Sequence, residues 1–243
     1  MARVITALVM IPLILWTGIV AYHKVMPHVV RQFEVKEISL AGANQVTRRE
    51  MLERLAIQPG QPVWSFNTRR LEIRLESHPW IKRAAVSRVL PHTLTVHITE
   101  RRPAAVLRNS SMTLLLDEEG HALSVLSPAE DPGLPVMTGI NPKGLLAKEG
   151  RLLLAAQRGI ELAGLLTRTF QGRPRIDMTN PDDVVAYLDG LRLQFGPSPF
   201  EEKWERYRTI EPYLAVSAGP GHGEVRNEID LRYPGKVIVR ERG

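Results

Sequence analysis

The sequence predicts an α+β protein: an N-terminal transmembrane helix, a small α+β domain, then a mostly antiparallel β domain with flanking helices. Three observations predict it. Val4 to Tyr22 is a run of 19 residues without a charge. Phe33 to Val106 reads strand, helix, helix, strand, strand, with no long loop. From Met112 onward, short apolar runs are punctuated by turn residues, with two amphipathic helix patterns among them.

The first run has the length of a hydrocarbon core, because a helix of that size spans roughly 29 Å. Pro12 is tolerated in a membrane helix, and Tyr22 is placed to anchor at the interface. A cleaved signal peptide is the rival reading. Its charged start would be only Met1-Ala2-Arg3, its apolar run is longer than usual, and Ile19-Val20-Ala21 is a poor cleavage site, so an uncleaved anchor fits better. Arg3 before the helix and Lys24 and Arg31 after it barely discriminate orientation. The expected organisation is a cytoplasmic stub at 1–3, the transmembrane helix at 4–22 and a juxtamembrane linker at 23–32. The α+β domain follows at 33–101, the β domain at 102–240 and a tail at 241–243.

Composition narrows the chemistry. The net charge is +6, which raises anionic partners, yet the basic residues come as scattered pairs such as Arg48/Arg49 and Lys82/Arg83. With 6% aromatic residues and no RNA-binding motif, nucleic acid is disfavoured. The absence of cysteine excludes disulfides, thiol catalysis, zinc fingers and iron–sulfur clusters.

In the α+β block, Phe33 to Leu40 has strand composition, with a parity change that implies a kink near Lys36. Thr47 and Glu50 fit a capping box, and Met51, Leu52 and Leu55 share one helix face. Asn67 caps a second helix that carries Leu71 and Leu75 and stops at Pro79. Arg83 to Leu90 is a strand ended by Pro91. Leu94, Val96 and Ile98 alternate strictly, which turns His97 toward solvent. Two helices on one face of such a sheet leave an edge strand able to pair with something else.

In the second half, Met112 to Leu123 reads as a hairpin with an acidic tip, and Leu134 to Gly139 is extended. Glu149 to Thr167 is an amphipathic helix carrying Leu152, Ala156, Ile160, Ala163 and Leu166. Asp189-Gly190 between Val184–Leu188 and Leu191–Phe195 is a strong hairpin signal. Phe200, Trp204, Tyr207, Ile210 and Leu214 repeat at helical spacing. Ile229, Leu231 and Tyr233 alternate with Asp230 and Arg232, Pro234-Gly235 turns, and Lys236 to Arg240 forms a last strand.

No metal-ligand spacing joins the seven histidines. No nucleophile elbow or S-x-x-K serine motif stands where a hydrolase needs one, so a membrane-tethered cell-wall hydrolase lacks its catalytic constellation. Gly219 to Gly223 is a linker rather than a phosphate loop, since no helix pattern follows it. Asp117-Glu118-Glu119 reads as a solvated hairpin tip rather than a calcium site.

Several stretches resemble a known family. Ile38-Ser-Leu-Ala-Gly42-Ala-Asn44 followed by Thr47 resembles a POTRA domain, as does His78-Pro79-Trp80 through Leu94. Closed by Glu100-Arg-Arg-Pro103-Ala104-Ala105 and placed directly after one membrane helix, the block is similar to the FtsQ/DivIB family of bacterial cell-division proteins. The last strands and the helix from Phe200 to Leu214, preceded by Leu193-Gln-Phe-Gly196, resemble that family's second domain.

The resemblance implies a non-enzymatic divisome scaffold in the inner membrane, single-pass, type II, with its bulk in the periplasm at the septum. It implies FtsB- and FtsL-type partners and, through them, the septal peptidoglycan synthase, with no cofactor, metal, nucleic acid or small-molecule substrate. Carried over, partner contact falls on Arg232, Tyr233, Gly235, Lys236, Val237, Ile238 and Val239. Lys203 and Arg206 form a charged rim, and pairing runs by strand addition. Tyr233 also fits a core position, and Val237 and Val239 bury one face whatever the partner does. The alternative, a POTRA-bearing transport or outer-membrane assembly factor, needs repeated POTRA units or a barrel of ten-residue strands, which the sequence lacks.

Overall fold

Residues 15–26, 29, 31–188, 190–214 and 227–241 are described by a computed structural model. The chain divides into two units, Met1–Glu100 and Arg101–Gly243. Residues 15–26 are helical, with Leu15, Trp16, Ile19, Tyr22 and Val25 exposed. Among the described residues no helix is long and apolar enough to cross a membrane. Much of the expected span at 4–22 lies outside them, as do the expected linker at Gly219–Gly223 and Asp189 of the hairpin turn.

The first unit is β1 (Glu37–Ala41), α1 (Arg48–Leu55), a 3-10 turn (Val63–Ser65), α2 (Thr68–Glu76), β2 (Ile81–Val89) and β3 (Thr93–Glu100). Thr47 starts α1 through a complete capping box: its hydroxyl accepts from the Glu50 amide at 3.2 Å and the Glu50 carboxylate accepts from the Thr47 amide at 2.8 Å. Asn67 caps α2 by accepting from the Arg70 amide at 3.1 Å. β3 is the central strand, parallel to β1 and antiparallel to β2. Its Val96 and Ile98 pack with Met51, Leu55, Leu71, Leu75 and Val86 in one core, and His97 faces out.

β1 starts at Glu37 rather than at Phe33. Residues 33–35 pair elsewhere, because the Val63 amide donates to the Phe33 carbonyl at 2.8 Å and the Val35 amide to the Gln61 carbonyl at 3.0 Å. Beyond β1, Gly42 has φ +87°, and a Cβ there would lie 2.1 Å from the Ile98 carbonyl oxygen. Only glycine fits so close to a neighbouring strand. The next residues turn their amides onto one carboxylate: Oε1 of Glu100 accepts from Asn44, Gln45 and Val46 at 2.9, 2.8 and 2.9 Å.

The second unit contains β4 (Pro103–Arg108), β5 (Thr113–Asp117), β6 (Ala122–Leu126), β7 (Val136–Thr138), α3 (Pro142–Leu146) and α4 (Gly150–Thr167). It continues with β8 (Arg175–Asp177), β9 (Val184–Leu188), β10 (Leu191–Gly196), α5 (Glu201–Leu214), β11 (Asn227–Asp230) and β12 (Ile238–Glu241). One sheet runs β12-β11-β10-β9-β8-β7-β4-β5-β6. Most neighbours are antiparallel, but β4–β7, β7–β8 and β10–β11 are parallel, so the sheet is mixed. Leu107, Leu114, Leu116, Met137, Leu162, Leu166, Ile176, Phe195 and Ile229 belong to its core. Gly159 lets α4 pack close, since a Cβ there would stand 2.6 Å from the Met137 methyl.

The acidic hairpin tip is not solvated as its sequence suggests. Asp117 is 2% exposed, and its carboxylate accepts from the Glu119 and His121 amides at 2.9 and 2.7 Å. Nη1 of Arg101 lies 2.5 Å from Asp117, 2.9 Å from Glu119 and 3.0 Å from Nδ1 of His121. The guanidinium supplies the positive charge that this trio would otherwise seek from a cation.

Gly42→Ala combines a left-handed backbone with a carbonyl clash and lowers the stability of the first unit by more than about 1 kcal/mol. Amide exchange in β1 and β3 then accelerates, while exchange in β9 and β10 of the second unit stays unchanged.

Candidate partner-docking edge

The end of the chain forms one edge of the nine-stranded sheet. Ile229 and Leu231 are fully buried, and β11 pairs in parallel with β10, with Leu193 opposite Ile229. β12 returns antiparallel to β11, with Ile229 opposite Val239 and Asp230 opposite Ile238. Among the described residues β12 is last in the strand order, so its far side is an edge. Val237 packs against the core and Val239 is half-buried, whereas Ile238 is 36% exposed on the alternate face. The strand begins at Ile238, later than the pattern from Lys236 implies.

The reason lies on α5. Phe200, Trp204 and Tyr207 are buried, with Trp204 stacked on Tyr207 at 5.2 Å and Phe195 edge-on to Phe200 at 5.9 Å. Burial pushes the Tyr207 hydroxyl up to about 12. Anchoring this face points Arg206 at the chain that follows β11. The Arg206 guanidinium donates to the carbonyls of Leu231 at 3.1 Å, of Tyr233, and of Lys236 at 3.4 Å. Three carbonyls gathered on one planar fork hold residues 231–236 as a turn and keep Lys236 and Val237 out of the ladder. Gly235 allows the turn with φ +66°. Lys203 donates to the Pro197 carbonyl, and burial, then the neighbouring Arg206, depress its pKa.

Arg232 is committed within the unit. Its Nε and Nη2 donate to Asp230 at 3.0 and 2.7 Å, a bidentate pair. Nη1 lies 3.6 Å from Asp183, whose carboxylate also accepts from the Gln194 amide nitrogen at 2.9 and 2.8 Å. Asp230 is only 4% exposed, and the Arg232 hydrogen bonds hold its carboxyl below the usual range. The same pairing raises the pKa of Arg232. On the outside of this network sits Tyr233, 47% exposed, with its ring 5.9 Å from the Arg232 guanidinium.

The structure therefore brings Arg232, Tyr233, Gly235 and Lys236 together in one turn, with Val237, Ile238 and Val239 leading into the edge strand. Arg206 stands behind the turn and bonds to its carbonyls, whereas Lys203 bonds to the Pro197 carbonyl just after β10. Sequence reasoning passed over Asp183 and Gln194, and it read Asp230 only as the polar half of an alternation. The single signal was an aspartate two residues before an arginine. What the arrangement offers is an extended edge for backbone pairing, flanked by an exposed aromatic ring and an exposed Lys236.

Two outcomes follow from this geometry. Arg206→Met frees the carbonyls of residues 231–236, so amide exchange from Lys236 to Val239 speeds at least tenfold while α5 remains protected. The Asp230–Arg232 contribution belongs to the ionised carboxylate, whose folded pKa lies below the unfolded value of about 3.9. That contribution is complete above roughly pH 4 and is lost as pH falls through the folded value. A carboxyl NMR titration detects Asp230 titrating below ordinary aspartates, with protection of β12 falling in the same acid range.

Comparison with known proteins identifies the family of both units, with the matched residues ending at Arg232, before β12. Residues 33–101 match the family described as POTRA domain, FtsQ-type, and residues 104–232 match cell division protein FtsQ/DivIB, C-terminal. A cell division protein FtsQ from Anaeromyxobacter sp. (strain K) is 29% identical over 86% of this chain and 72% of its own length. The protein of that name from Myxococcus fulvus is 29% identical over 76% of this chain and 66% of its own. The one from Syntrophotalea carbinolica is 27% identical over 86% and 74%. The matched families meet where the two units of the fold meet, and together they cover more than half of the sequence. The chain belongs to the FtsQ/DivIB family of bacterial cell-division proteins.

Proposed function

We propose that this chain is a non-enzymatic scaffold of the division machinery, anchored in the inner membrane by residues 4–22, with residues 33–101 and 102–240 as its two working domains in the periplasm at the septum. It binds FtsB- and FtsL-type proteins and links them to septal peptidoglycan synthesis. The uncharged N-terminal run and the exposed apolar side chains of residues 15–26 support the anchor. Family membership supports the role in division.

The observation that carries the docking mode is the position of β12 at the sheet edge beside exposed Tyr233. An extended partner segment adds to β12 backbone to backbone, and the Tyr233 ring covers its apolar side chain. Arg206 acts by keeping the turn and edge in shape before the partner arrives, which reduces the ordering that binding must impose, and Lys203 contributes charge to the rim.

Pull-down of an FtsB-type partner by the full chain checks this. Deleting 233–243 abolishes capture, and Tyr233→Ala weakens it by about tenfold, equivalent to about 1.4 kcal/mol. Capture that survives the deletion overturns the assignment and points instead to β6, the sheet's other edge.

A further inference from the structure

Among the described residues the sheet of the first unit has three strands, so β1 and β2 are its edges. Side chains bond to outward backbone groups of both. On β2 the amides of Ala84 and Val86 turn away from β3. The Ala84 amide donates to Oε1 of Glu76 at 3.1 Å and the Val86 amide to Oε1 of Glu72 at 3.1 Å. On β1 the Ile38 carbonyl accepts from Nη2 of Arg48, the first residue of α1, at 3.1 Å.

The match on β2 follows from two elementary periods. Glu72 and Glu76 are one helical turn apart, a rise of ~6 Å. Ala84 and Val86 are alternate residues of a strand, ~6.8 Å apart, and amides of alternate residues point to the same side. Leu71 and Leu75, one residue before each glutamate, are buried and fix the face of α2 that lies along β2. The two carboxylates thus stand at the spacing at which a further strand would present its carbonyls. The Val86 bond is the main cause of the lowered pKa of Glu72, whose other oxygen lies 3.3 Å from Nη1 of Arg69. Farther along β2 the Arg88 side chain donates to the carbonyls of Val63, at 3.2 Å, and Phe66, so the 3-10 segment is tied to that end of the strand.

We infer that Glu72 and Glu76 form a surrogate strand that closes the β2 edge against strand addition by a second copy of this chain. Without them, β2 pairs with β2 of another copy about a two-fold axis through Ala85, which places Ala84 opposite Val86. Ala84 and Val86 are buried toward the helices and Ala85 is exposed on the opposite face, so the axis of such a pair passes by an exposed small side chain. This goes beyond the docking of partners on β12 and rests on the first unit alone.

The chain has no cysteine, so Ala85→Cys is a clean reporter of that pairing. In the full-length protein in detergent, the thiol introduced at position 85 forms no crosslink between copies when Glu72 and Glu76 are intact. With Glu72→Ala and Glu76→Ala together it crosslinks, and exchange at Ala84 and Val86 rises at least tenfold. Glu72→Gln with Glu76→Gln, which keeps an acceptor oxygen at each site, stays uncrosslinked. Equal crosslinking in all three backgrounds, none in the alanine pair, or crosslinking of the glutamine pair to the level of the alanine pair overturns the proposal. Should the alanine pair fail to fold, the unaltered chain decides. Protection of Ala84 and Val86 equal to that of β3 amides supports the closed edge, and exchange at the open-coil rate refutes it.

Discussion

A β-sheet ends in two rows of backbone groups that no strand of its own can satisfy, and this chain is organised by what is done with those rows. In the first unit, Glu72 and Glu76 take the outward amides of β2 and Arg48 takes a carbonyl of β1. In the second unit, β12 is an edge whose approach is held open by a turn. On the proposed docking mode, the same backbone chemistry closes the β2 edge of one sheet and leaves the β12 edge of the other receptive. That contrast also disfavours reading β2 as a handler of extended substrate chains, because its Ala84 and Val86 amides are already used.

The turn before β12 inverts the usual role of surface cations. Arg206 faces three carbonyls, and Arg232 is locked by Asp230, so neither presents a free guanidinium to a partner. In the proposed docking their contribution is geometric: they set where Tyr233 and Ile238 stand. A pattern of residues tells which face of α5 carries a charge, but not that a backbone carbonyl from 25 residues later waits there. That is why the hold of Arg206 on the turn, and of Lys203 on the Pro197 carbonyl, was invisible in the sequence.

Local physics was legible and distant pairing was not. The capping box at Thr47, the Asn67 cap, the strict alternation of Leu94, Val96 and Ile98, and the strands around residues 189–190 are settled by neighbours a few residues apart, and each appears where its pattern predicts. β8 and α3 escaped notice because they are three and five residues long, and β4 because Pro103-Ala104-Ala105 is a weak strand composition. β7 and β8 are three residues each and pair in parallel, Val136 with Arg175. The start of β1 moved because Phe33 and Val35 bond to residues 61–63, and β12 shortened because Arg206 draws the chain into a turn. Glu72 and Glu76 look like ordinary solvent-facing helix charges until β2 is laid beside them.

Gly42 and Glu100 carry a consequence for how such a protein changes over time. Gly42 and Asn44 lie in one stretch by which the family is recognised and Glu100 opens another. In the fold, the carboxylate of the second gathers the amides of residues 44–46, and Gly42 presses against Ile98 two residues before it. The signature of the family is thus a single joint of the scaffold, written in two places. The residues that would meet a partner lie at the far end of the sequence and carry no part in that joint. A lineage is free to retune its partner at β12 while remaining recognisable by its first unit, and relatives with under a third of their residues identical need not share a binding surface.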